Sequence, residues 1–67
     1  MNKLQQIRKE KRMTQAQLAA AVGVTPGAVG QYEIGASRPS LKTAIALAAA
    51  LGCTMDDLYR EEVKQDA

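Results

Sequence analysis

Two helix-start signals, Thr14 and the pair Thr25-Pro26, stand on either side of a single glycine, Gly23, and this spacing constrains the chain more than any other feature. The run Thr14-Gln15-Ala16-Gln17 has the form of a capping box, in which the Thr hydroxyl accepts from a first-turn amide and the Gln side chain accepts the N–H of the cap residue. At Thr25 the hydroxyl meets the same need, and Pro26 at the first helical position gives up an N–H that would have no intrahelical partner. Gly23 suits the left-handed cap that ends the first of these helices. The link before the next cap is then only Val22-Gly23-Val24, and so short a link makes the helices cross at a large angle. The crossing needs a small residue on its inner face, Ala19, and apolar groups to fill the angle. Leu18, Val22, Val24, Val29 and Tyr32 have the helical spacing to do so.

The remaining sequence predicts three more helices and no strand, which makes an all-α fold of five short helices. Good helix formers, with Leu4, Ile7 and Lys11 at helical spacing, predict the first helix from Asn2 to about Arg12. The helix begun at Pro26 is expected to run to Glu33 and stop at Gly35. Ser40 caps a fourth helix reaching Leu51 and ending at Gly52. Thr54 caps a fifth, with Asp56 and Asp57 in its first turn, where carboxylates favour the positive end of the helix dipole. Leu58 is expected to seal the core.

A chain of 67 residues has room for one domain, assigned to residues 1–67, and buries only about 60% of its unfolded surface, which leaves little material for a catalytic cleft. It has no His and a single Cys, so catalytic residues, metal ligands and cofactors are all expected to be none, and the chain is read as not an enzyme. The adjacent Asp56 and Asp57 are better explained by capping than by acid–base work. Cys53 has no internal disulfide partner, and the apolar stretch Ala44 to Leu51 is too short to cross a bilayer. With no signal peptide visible, a cytoplasmic location is expected, without a membrane partner or a small-molecule substrate. Charge is unevenly spread. Residues 1–42 carry seven cations against two anions, net +5, while residues 43–67 carry two against five, net −3. A basic front and an acidic back suggest a polyanion on one face.

The run Thr14-Gln15-Ala16-Gln17-Leu18-Ala19, then Val22-Gly23-Val24-Thr25, Tyr32-Glu33-Ile34-Gly35, Arg38-Pro39-Ser40, and Leu47-Ala48 with Leu51-Gly52 resembles the Cro and phage-repressor (XRE-like) helix-turn-helix family. The likeness covers residues 4 to about 59. It implies a lambda-repressor-like DNA-binding domain with the helix-turn-helix at 14–33 and a C-terminal helix and tail at 54–67. The resemblance further implies that the third helix enters the major groove while the second lies across the phosphate backbone. The implied function is transcriptional regulation by a Cro-like repressor or controller protein, bound as a homodimer to a palindromic double-stranded DNA operator. The alternative is a protein-interaction module, such as an antitoxin-like adaptor, on the same fold with weakened base reading.

For phosphate contact the expected residues are Gln15 and Gln17 at the start of the second helix, although Gln17 also completes the capping box. Arg38 in the loop and Lys42 on the next helix either reach the backbone or an adjacent minor groove, or are solvated. With Val29 and Tyr32 inward, the outward positions of the third helix are Pro26, Gly27, Gly30 and Gln31, with Thr25 and Ala28 at the margins. Gln31 is suited to adenine, and Pro26 or Ala28 to thymine methyls. Where the family carries a small hydroxyl residue this chain has Gly30. Two glycines on one helix face suggest a close approach to DNA. The resemblance also implies that Arg8 pairs with Glu33, partly buried, tying the first helix to the third. A dimer interface is expected from Cys53, Met55, Tyr59 and Val63 beside Leu58, placing recognition helices about 34 Å apart, unless Val63 onward is a frayed tail.

Overall fold

A computed structural model describes residues 3–59. It contains α1 (Leu4–Glu10), α2 (Gln15–Val22), α3 (Pro26–Ile34), α4 (Leu41–Leu51) and α5 (Met55–Tyr59), with no strand among the described residues. The expected caps are present. Thr14 Oγ1 accepts from Gln17 N at 3.0 Å while Gln17 Oε1 accepts from Thr14 N at 2.9 Å, completing the box. Thr25 Oγ1 accepts from Ala28 N at 3.1 Å, and Ser40 Oγ from Thr43 N at 3.2 Å. A second reciprocal box opens α5: Asp57 N donates to Thr54 Oγ1 at 3.0 Å, and Asp57 Oδ2 accepts from Thr54 N at 3.1 Å. The carboxylate of Asp57 is therefore engaged in a cap.

The helix ends correct the sequence reading in two places. α3 continues through Ile34, one residue past Glu33, before Gly35 closes it. α1 is shorter than the span from Asn2 to Arg12, and Asn2 lies outside the described residues. Its end is set by Arg12, which takes the left-handed conformation at φ 59°. Arg12 N donates to Lys9 O at 2.9 Å and Met13 N to Arg8 O at 3.2 Å, the paired bonds that close a helix through a left-handed residue. That position usually belongs to glycine, as Gly23 illustrates at φ 80°. An arginine there gave no stop signal, so helical periodicity carried the expected α1 too far.

All five helices contribute to one core of Leu4, Leu18, Ala19, Val29, Leu47, Ala48, Leu51 and Leu58. α2 packs most extensively on α3 and next on α4, while α1 rests on α3 and α5. Lys3 N also donates to Leu58 O at 2.8 Å, fixing the start of α1 to α5. Of the residues expected to fill the α2–α3 angle, Leu18, Ala19 and Val29 are buried, whereas Val22, Val24 and Tyr32 lie half-buried at its margin. A domain with this much surface for its volume has few fully enclosed positions. No helix among the described residues is long and apolar enough to cross a membrane.

Candidate nucleic-acid interface

α3 buries only Val29 and Glu33, which leaves most of its surface available. Thr25, Pro26, Gly27 and Gln31 are exposed, while Ala28 and Gly30 are intermediate. A Cβ added at Gly27 would meet nothing within 4 Å, so a partner can approach the backbone there. Gly30 differs. A Cβ there would lie 3.4 Å from Gln15 Nε2 and 3.9 Å from its Oε1, so the Gln15 side chain, not open space, covers Gly30. The expectation that both glycines lie bare on the outward face therefore holds for Gly27 alone. Sequence reasoning also missed Ile34, which is 69% exposed and follows Gly27, Gly30 and Gln31 at helical spacing. That periodicity was visible, but reading the helix as ending at Glu33 hid it.

The buried side of α3 is fixed by an ion pair. Arg8 Nε donates to Glu33 Oε2 at 2.5 Å, Arg8 Nη2 to Glu33 Oε1 at 3.4 Å, and Arg8 Nη1 to Met13 O at 2.7 Å. Arg8 is 7% exposed and Glu33 6%, so the implied pair is present and more deeply enclosed than expected. Gln15 Nε2 supplies a further bond to Glu33 Oε1 at 3.0 Å, joining the first residue of α2 to the same carboxylate.

Gln17 is exposed, and its carbonyl oxygen is committed to the cap. Its amide N–H groups take no part in that bond, so capping and donation to a phosphate are compatible. Arg38 and Lys42 are exposed on the loop and on the first turn of α4, and Lys9, Lys11 and Arg12 add exposed cations from the α1 end.

Cys53, Met55 and Tyr59 are half-buried and pack against the core, whereas Val63 lies outside the described residues. Burial, then the carboxylate of Asp57, pushes the Cys53 thiol above its ordinary range, with Lys11 opposing. Burial, then Tyr32, does the same for Tyr59 against the opposing charge of Arg38. The large apolar side chains most exposed to solvent are elsewhere: Ile34, Leu41 at 70% and Ile45 at 52%.

Comparison with known proteins agrees with this geometry. The Helix-turn-helix family matches residues 4–58. The uncharacterized HTH-type transcriptional regulator YqaE of Bacillus subtilis (strain 168) is 36% identical over 59 residues, covering 88% of this chain and 51% of that protein. The SPbeta prophage-derived uncharacterized HTH-type transcriptional regulator YonR of the same organism is 36% identical over 58 residues, 87% of this chain and 54% of that one. The chain thus spans about half the length of these relatives. Among solved structures, the P22 c2 repressor in complex with a synthetic operator superimposes with a TM-score of 0.82 at 33% identity, covering 87% of this chain and 88% of that chain. A transcriptional regulator from Listeria innocua gives 0.76 at 28% identity, covering 94% of this chain and 61% of that chain. The crossing of α2 and α3, the Arg8–Glu33 tie behind it and these matches have one reading: the chain belongs to the Cro and phage-repressor (XRE-like) helix-turn-helix family.

Proposed function

We propose that the protein is a transcriptional regulator that binds double-stranded DNA by inserting α3 into the major groove, with α2 across the phosphate backbone. The observation that carries this reading is the division of α3. Glu33 and Val29 hold it from behind, while Thr25, Pro26, Gly27 and Gln31 stay exposed in front, on a fold shared with a repressor seen in an operator complex. Gln15, Gln17, Arg38 and Lys42 supply phosphate contacts, and Gln31 reads adenine through its paired donor and acceptor. Pro26 and Ala28 contact thymine methyls, and Thr25 and Gly27 admit the groove wall. The operator is palindromic and the protein acts on it as a homodimer and Cro-like repressor, with Cys53, Met55, Tyr59 and Val63 meeting across the two-fold axis.

Selection of bound sites from a random DNA library, followed by titration of the winner at rising salt, tests the proposal. A two-fold symmetric winner and a steep fall of affinity with salt are expected. The rival reading is an interaction module, favoured by the exposed Ile34 and the lack of polar side chains at Gly27 and Gly30. Absence of DNA binding at low salt would establish it over ours. Sedimentation showing monomers both free and on DNA would remove the dimer.

A further inference from the structure

The carboxylate of Glu33 in α3 is shared with α1 and α2. It takes two bonds from Arg8 of α1 and one from Gln15 of α2. A carboxylate only accepts, so the nitrogen of the Gln15 amide must face Glu33, which fixes the orientation of the whole group. One N–H of that amide and its Oε1 remain, and among the described residues no hydrogen bond engages them. The amide also lies against Gly30, in the space beside the recognition helix that a side chain there would claim.

We propose that Arg8, Glu33 and Gln15 form a positioning relay for DNA binding: Glu33 locks the Gln15 amide against Gly30, and the locked amide donates its free N–H to a phosphate oxygen in place of a side chain at position 30. The inference rests on the DNA-binding reading and deepens it, because it makes Glu33 and Gly30 part of the interface although neither touches the nucleic acid. Locking matters since a free Gln side chain loses rotamer freedom on binding, and a group already held in place does not lose it again. A neutral amide displaces no counterion and reads no base. Its loss must therefore weaken binding equally on all sequences without changing the salt dependence, unlike the loss of an arginine or of a base-reading residue.

The test is a cycle of Gln15→Ala, Gly30→Val and the double variant, with Gly30→Ala as control. Valine is a better helix residue than glycine, so Gly30→Val is not at risk of unfolding from propensity, while its branched side chain competes with the amide for space. Gly30→Ala adds only a Cβ at ordinary contact distance and keeps the lock. Gln15→Ala and Gly30→Val are each expected to lower affinity about three- to tenfold per subunit on operator and random DNA alike, the value of one hydrogen bond. The double variant should be no weaker than either single one, and Gly30→Ala should bind like the parent. In the free parent protein, NMR should show the Gln15 side-chain amide protons restrained, and restrained no longer in Gly30→Val. Multiplying losses in the double variant, parental binding by Gly30→Val, or a freely averaging Gln15 amide in the free parent would each overturn the relay. If the parent binds no DNA while its Gln15 amide is restrained, the DNA-binding reading has failed, and the contact fails with it, although the lock itself exists.

Discussion

Replacing Arg8 with methionine would remove the partner of a carboxylate whose side chain is only 2% exposed. Glu33 would keep the single bond from Gln15 and lose both bonds from Arg8, and the Met13 carbonyl would lose its donor as well. Breaking a buried pair from one side costs about 3–5 kcal/mol, because the remaining charge stays desolvated without compensation. A chain of this length has a total stability of about 3–10 kcal/mol, so the variant should be marginal or unfolded, with its melting temperature lowered by more than about 12 °C. Urea unfolding followed by circular dichroism measures the loss, and an unchanged denaturant slope would show that the same two states are compared. The double variant Arg8→Met/Glu33→Leu should recover most of the stability, since an apolar pair of similar volume leaves no stranded charge. It should not recover DNA affinity, because Gln15 then has nothing to hold it. A loss below 1 kcal/mol for Arg8→Met would mean that the pair behaves like an exposed one. A double variant weaker than the single one would likewise refute the desolvation argument.

Gln31→Ala should cost about 1–3 kcal/mol on the preferred operator, relax preference at one base pair per half-site and leave the salt slope nearly unchanged, which binding titrations on operator and mutated operators would show. Arg38→Ala should instead weaken binding on every sequence and reduce the slope by about one phosphate contact per subunit; an unchanged slope would place Arg38 off the DNA. Arg12→Gly should raise stability by up to about 1 kcal/mol, since glycine takes the left-handed conformation without the steric cost that arginine bears there; a clear loss in thermal unfolding would count against this account of the α1 end. Burial raises the pKa of Cys53 and of Tyr59 in the folded state, so folding favours their neutral forms. That stability is complete below their ordinary pKa values and lost as pH rises through the raised ones. Melting temperatures should therefore fall above about pH 9, and less so in Tyr59→Phe. Because Tyr59 Oη is buried without a partner among the described residues, Tyr59→Phe should not destabilise the protein at neutral pH.

What could be read in the sequence was the chemistry that acts within one turn of helix. Thr14, Thr25, Ser40 and Thr54 each take a backbone N–H three residues ahead, so the hydroxyl and its spacing suffice to place a helix start. Arg12 gave no such signal at the end of α1, because an arginine has no local preference for the left-handed conformation it takes there, and the closing bonds from Arg12 N and Met13 N are made by backbone groups alone. The exposed positions of the candidate interface were legible, but how they are arranged against one another was not. Gly30 reads in sequence as an empty place on the recognition helix, and Gln15 as a contact made by a different helix. Only the crossing of α2 and α3 sets one against the other, at a separation in the chain that no local pattern spans. The surface proposed for a dimer was the least legible. Cys53 lies in the link before α5, and Met55 and Tyr59 stand at the two ends of that five-residue helix, so spacing did not show how much of each is turned to the core. The Arg8–Glu33 pair was anticipated from resemblance, yet its consequence depends on enclosure. A carboxylate with its side chain 2% exposed holds its partners in fixed places, which allows one group to brace α3 from behind and orient Gln15 beside it.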